Sequence, residues 1–274
     1  MKFSNKEMSK ISPKNFRKLV REKKWIDTTE PAVTFKGMVC KNYAVMNLVI
    51  LHERYSHDFL LFCKENKDSC PVIEVTDVGN PNPKFLAPDS DLRTDIPLYR
   101  VFKDGKLIDE PTDVVKYWND KMVCFLIGNS VNFRWALWDA NIFWRRYGAY
   151  KTNLKCKPVG IFHGTKVVTV RAFKNSFDAI RAIQISSRYS VGHGAPIHIG
   201  DPKEIGIKNI GKPDSFNPFR PIAKPPNETE IVMSWGCGVT PQTVALEAKI
   251  PFMITHSPAH LFVTDKLAEE LSDF

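Results

Sequence analysis

The chain has 274 residues, 43% hydrophobic and 25% charged, with 14 Gly and 19 Pro, a globular composition that excludes collagen-like, coiled-coil and largely disordered classes. The net charge of +9 sits mostly at one end, because residues 1–25 carry nine Lys and Arg against Glu7 and Glu22, leaving +2 for the remainder. No apolar run reaches the roughly 18 residues that span a bilayer, and the Lys-rich start lacks the apolar stretch of a secretory signal, so a cytoplasmic protein with no membrane partner is expected. The near-neutral body carries no aromatic-and-basic groove motif, which argues against nucleic acid as a partner.

Along the chain, Ser12-Pro13 opens a helix whose Phe16, Leu19 and Val20 form one stripe, so the basic arm should dock that stripe and solvate its lysines. Ser56 starts a helix to about Asn66, and Pro71-Val-Ile-Glu-Val75 follows as a short strand. Asp104-Gly105 lies between two strand-like runs and predicts a type I′ hairpin. After a short helix at Pro111, Met122-Val-Cys-Phe-Leu-Ile127 is continuously apolar, the pattern of a strand covered on both faces. It stops at Gly128-Asn129-Ser130, where Asn129 or Ser130 should cap the next helix.

Residues 145–225 read as a smaller α/β subdomain inserted into a larger domain made of 1–144 and 226–274. Within it Lys166 to Arg171 alternates as a half-exposed strand, Phe177 to Ser187 is helical, and Pro213 to Pro226 is a surface connection. Near the C-terminus, strand Ile231-Val-Met-Ser-Trp235, turn Gly236-Cys237-Gly238, a helix capped at Thr240-Pro241 and strand Pro251-Phe-Met-Ile-Thr255 form a βαβ unit. That unit predicts a mixed, partly parallel sheet in an α/β fold.

The six cysteines include no Cys-x-x-Cys pair, so neither structural zinc nor a thioredoxin-like motif is expected. Five read as buried thiols, and glycine-flanked Cys237 stands apart. His256 and His260 have the spacing of two ligands on a helical turn, but Pro258 opposes that helix, and no metal is expected. In α/β sheets ligands collect beyond strand ends, where glycines admit backbone to a bound anion. Gly128-Asn129-Ser130, Gly236-Cys237-Gly238 with Thr240, and His256 to His260 all follow predicted strands. The loop 192–201 adds His193, His198 and Asp201, and Arg93 in an acidic loop suits a bidentate carboxylate contact.

The runs Asp58-Phe-Leu-Leu-Phe-Cys63, Asp91-Leu-Arg-Thr-Asp-Ile-Pro97, Tyr150-Lys-Thr-Asn153, His193-Gly-Ala-Pro-Ile-His-Ile-Gly-Asp-Pro202 and Cys237-Gly-Val-Thr-Pro-Gln242 closely resemble the "putative hydro-lyase" family, also called the D-glutamate cyclase family. The resemblance covers roughly residues 16–265. It implies a larger three-layer α/β/α domain with a smaller two-layer one, and reversible loss of water from D-glutamate to give 5-oxo-D-proline. Family members show Gly-Cys-Ser followed four residues on by Glu, where this chain has Gly128-Asn129-Ser130 and Arg134. A Gln common in the family is Val45 here, and the stretch before Tyr150 is shorter, with Arg145 and Arg146 in place of the family's histidine.

Cyclisation requires an ammonium proton to leave, a carboxylate charge to be offset and a proton to reach the departing water. On that basis His193 or His198 shuttles the proton and Asp201 orients the imidazole. Arg93 pairs with the α-carboxylate, and the backbone at 236–240, with Cys237 adjacent and Thr240 donating, holds the reacting carboxylate. Asn129, Ser130, Asn153, His256 and His260 complete the substrate-binding set, and no cofactor is called for. The competing reading is an altered family member that binds a small carboxylate or amino-acid derivative without turnover. A homodimer is left open.

Overall fold

The computed structural model describes residues 10–24, 39–214 and 225–273. Residues 1–9 of the basic arm and 215–224 of the proline-rich connection lie outside the described residues. Two sheets carry the fold. The first is built around β1 (Tyr43–His52) in the order β2-β5-β1-β10-β3-β4, with β11 also paired to β1. Its other members are β2 (Val72–Val75), β3 (Tyr99–Lys103), β4 (Lys106–Asp109), β5 (Met122–Ile127), β10 (Phe252–His256) and β11 (Phe262–Leu267). The second has the order β6-β7-β9-β8, from β6 (Trp144–Lys155), β7 (Thr165–Phe173), β8 (His198–Ile199) and β9 (Ile231–Gly236).

The parallel pairing expected of the C-terminal unit is overturned. Every strand pair among the described residues is antiparallel. The strands 231–236 and 252–256 do not share a sheet: β9 lies between β7 and β8, whereas β10 lies between β1 and β3. The connecting helix therefore crosses from one sheet to the other, and a strand-helix-strand sequence pattern cannot distinguish that path from a crossover within one sheet. The fold is α/β with antiparallel sheets.

Both faces of the first sheet are covered, which is why β5 is buried at all six positions. On one side Met46, Leu48, Cys124 and Leu126 pack with Phe133, Phe173 and Trp235; on the other Val49, Phe125 and Ile127 pack with Phe59, Phe62 and Val244. Helix α1 (Pro13–Arg21) packs Phe16 and Val20 in a separate cluster with Val45 and Val263, and α2 (Ser56–Glu65), α3 (Arg134–Asp139), α4 (Ser176–Ser186) and α5 (Thr240–Glu247) contribute to the two layers. The second sheet is covered too, since Tyr150, Val168 and Val170 pack under Ile205 and Ile207. β7 is thus buried at all but one position, not half exposed as its alternation implied.

Local chemistry sets several boundaries. Asp104 and Gly105 have φ of 49° and 74°, the two positive values that a type I′ hairpin requires. Ser12 caps α1 by accepting the Asn15 N–H. α1 docks Phe16 and Val20 as expected, yet it also buries Arg17, whose guanidinium meets Asp265 and the Val263 carbonyl. Two expected caps are not made: α3 begins after Phe133 and α5 after Val239, neither with a side-chain cap. Asn129 instead folds back to accept the Val131 N–H in the preceding turn. β10 and β11 follow one another along β1, with Thr255 opposite Val49 and Phe262 opposite Met46. Seven residues advance on one side for three on the other, and the surplus forms the loop 257–261.

Candidate functional site

β5 and β10 both oppose β1, so they run in the same direction and end together beside Asn47 and Leu48. The three expected strand ends do meet, by antiparallel geometry. Gly238 comes so close that a Cβ there would stand 1.9 Å from Asn47 Nδ2 and 3.0 Å from the Gly128 carbonyl oxygen. A Cβ on Gly128 would stand 1.9 Å from the Val191 carbonyl oxygen, and one on Gly236 1.9 Å from that of Asp68. Only glycine permits these approaches. Asn47, fully buried inside an apolar strand, ties the segments by donating to the Gly128 carbonyl at 2.5 Å and accepting from Asn129 Nδ2 at 3.0 Å.

Over this junction lies Arg171, on β7 and 5% exposed. Its guanidinium carbon sits 4.8 Å from the ring centroids of Phe133 and Trp235 and 6.0 Å from that of Trp144. Nη2 donates to Ser130 Oγ at 3.0 Å, and Thr169 Oγ1 lies 3.4 Å from Nη1. Among the described residues no carboxylate pairs with it. Burial, with Arg134 nearby, pulls its pKa down to about 9. A buried cation is costly without an opposite charge, and the aromatic faces offset only part of that cost.

His193 enters from the loop after α4 in a left-handed conformation, φ 75°, which is uncommon outside glycine. Its ring is 4% exposed, and neither nitrogen has a hydrogen-bond partner. Burial lowers its pKa to about 4, with Asp68 opposing and Arg171 reinforcing the shift. At neutral pH it is an uncharged imidazole with a free lone pair. Asp68 Oδ1 and Ser69 Oγ are likewise buried and unpartnered, while Asp68 Oδ2 holds Lys166.

Beyond β10, His256 accepts the Leu48 N–H through Nδ1, and Gln242 of α5 donates to the His256 carbonyl. Arg100 links Gln242 to Glu110. His256 and His260 are both buried, and each leaves Nε2 without a partner. His256 sits on a strand and His260 in a loop, so the two are not ligands on a helical turn. Among the described residues no group of three or more His, Cys, Asp or Glu side chains is placed to hold a metal ion.

The remaining expected residues divide. Ser130 and Asn129 lie in the junction. Cys237 is buried, like the other five cysteines, and burial pushes its thiol pKa up, so it is not set apart by exposure. Thr240 lies within the junction, but its hydroxyl is occupied, donating to the Cys237 carbonyl and accepting the Val167 N–H. Arg93 grips Asp91 in its own loop with two nitrogens and lies over Trp118. His198 pairs through Nε2 with the Asp201 carbonyl, and Asp201 caps the turn Pro202–Ile205 by accepting the Lys203 N–H. Asn153, exposed on β6, reaches the Glu204 carbonyl. Arg171, Asn47 and Asp68 were not singled out from sequence. For Asn47 the available signal was an amide side chain inside an otherwise apolar strand; Arg171 shares β7 with Lys166, and Asp68 lies in the turn after α2, so neither carried that signal.

A family profile described as D-glutamate cyclase matches residues 123–265. A Rubrobacter xylanophilus protein named "Putative hydro-lyase" is 47% identical over 230 residues, covering 82% of this chain and 86% of that protein. Bacillus subtilis "Putative hydro-lyase YcsI" is 42% identical over 268 residues, covering 96% and 99%, and Geobacillus kaustophilus "Putative hydro-lyase GK2103" is 42% identical over 267 residues, covering 95% and 97%. The matched span contains the junction from Gly128 through His260, including Arg171 and His193, and the chain belongs to the D-glutamate cyclase family.

Proposed function

We propose that the chain is a hydro-lyase that interconverts D-glutamate and 5-oxo-D-proline at this junction. The observation that carries the reading is Arg171, a buried guanidinium with no carboxylate partner among the described residues. An anionic substrate would supply that partner in bidentate geometry. In cyclisation the N–Cδ bond forms and a Cδ–O bond breaks. Two protons leave the ammonium and end on the departing oxygen as water. Arg171 holds the α-carboxylate, and His193, neutral above about pH 4, takes a proton through its free lone pair. The missing Cβ atoms of Gly236 and Gly238 admit the Asp68 carbonyl and the Asn47 side chain, which draws the strand ends together around the substrate.

Chiral chromatography of reactions started from D-glutamate and from 5-oxo-D-proline tests the reading. Wild-type protein should turn over at least one of them, and Arg171→Met should lose at least about a hundredfold in kcat/KM. A folded wild-type protein inert toward both would overturn it. A second reading, binding without turnover, is favoured by Asn129 standing where the family carries Cys and being engaged with Asn47 and the Val131 N–H. Saturable 5-oxo-D-proline binding without product would select it.

A further inference from the structure

The chemistry above leaves two buried imidazoles unused, and their hydrogen bonds fix where each proton sits. His256 Nδ1 accepts the Leu48 N–H at 3.2 Å and lies farther, at 3.5 Å, from the Leu48 carbonyl; the shorter contact places the proton of the neutral ring on Nε2. His260 Nδ1 lies 3.0 Å from the Pro258 carbonyl, which can only accept, so its proton is on Nδ1 and Nε2 is a bare lone pair. Burial lowers both pKa values, that of His256 to about 3, and keeps both rings neutral. The residues are 1% and 4% exposed, and both Nε2 atoms lack partners.

The outcome is one unmatched donor and one unmatched acceptor, placed by adjoining segments. Ala259, at φ 70°, holds the loop in a conformation that non-glycine residues rarely adopt, immediately before His260. The pair is joined to the Arg171 junction through β1, where Leu48 meets His256 and Asn47 meets Asn129.

We propose that this pair recognises a cyclic secondary amide, His256 Nε2–H donating to the lactam carbonyl and His260 Nε2 accepting the lactam N–H. A ring forces the amide cis, which puts its N–H and C=O side by side. An open-chain amide is trans and points them apart. This deepens the proposed function and rests on it, because the lactam is the ring that reaction makes. It assigns the two histidines to selecting the cyclic form.

The test compares 5-oxo-D-proline with 3-oxocyclopentanecarboxylate, in which CH2 replaces the ring N–H, by tryptophan-fluorescence titration of the wild-type chain. The lactam should bind at least about tenfold more tightly, because the carbocycle leaves a buried acceptor unpaired. His260→Phe should erase the difference while retaining carbocycle binding. Equal wild-type affinities would overturn the inference and leave the proposed function standing, whereas binding of neither compound would overturn both. Nitrogen-15 NMR of the ligand-free protein needs no variant and should place the protons on His256 Nε2 and His260 Nδ1. The opposite tautomers would overturn the inference alone.

Discussion

Arg17 and Arg171 are both buried, and their surroundings differ in one respect. Arg17, on the docked N-terminal helix, meets both oxygens of Asp265 at 3.0 and 2.8 Å and the Val263 carbonyl at 2.9 Å. Arg171, over the strand junction, has hydroxyls and aromatic faces but no carboxylate among the described residues. A paired guanidinium anchors one element on another. An isolated one is a standing demand for an anion, and the cost of that isolation makes it informative.

The largest effect should come from making Arg17 resemble Arg171. Asp265→Asn leaves the buried guanidinium without its carboxylate and should cost about 3–4 kcal/mol in urea unfolding, the lower part of the range for a buried pair because Asp265 is itself partly exposed. A negligible cost would mean that this protein tolerates buried unpaired arginine easily and would weaken the inference from Arg171. Next is pH. His193 and His256 titrate near about 4 and 3 when folded, against about 6.5 unfolded, so the unfolded chain binds more protons below about pH 6.5. Stability should therefore be complete above that pH and fall as pH drops toward 4, with His193 alone contributing a loss on the order of 3 kcal/mol. His193→Gln should flatten this slope, and an unchanged slope would contradict a buried neutral ring.

Gly128→Ala is the third, since its Cβ would collide with the Val191 carbonyl; over-packing of this kind costs about 1–3 kcal/mol and should also weaken carboxylate binding. The smallest stability effect is expected of Arg171→Met. It removes a charge that has no counter-ion, so the unfolding midpoint should be unchanged or higher while anion binding disappears. A clear loss of stability would make Arg171 a packing residue like Arg17.

Much of the junction was legible because glycine, proline and strand ends leave local marks. Gly128-Asn129-Ser130 and Gly236-Cys237-Gly238 are tight turns after apolar runs, and they do come together. The pairing was not legible, because partner choice among strands is a long-range property and the β9-α5-β10 segment reads the same whether it stays in one sheet or changes sheets. Arg93 and Arg171 show the same limit. Arg93 stands among loop carboxylates and looks available, but Asp91 two residues away occupies it. Arg171 alternates with valines and looks solvent-facing, until the covering of both sheet faces buries it.

The first turn of α5 has a mechanical consequence. Thr240 is bonded to Val167 in one sheet, and Gln242, two residues later, to His256 in the other. One short turn is thus a strut between the sheets, and sliding one past the other would break both bonds together. A braced crevice has little freedom left to surrender when a ligand arrives. Amide exchange at Val167 should accordingly be slow before ligand is added and change little afterwards.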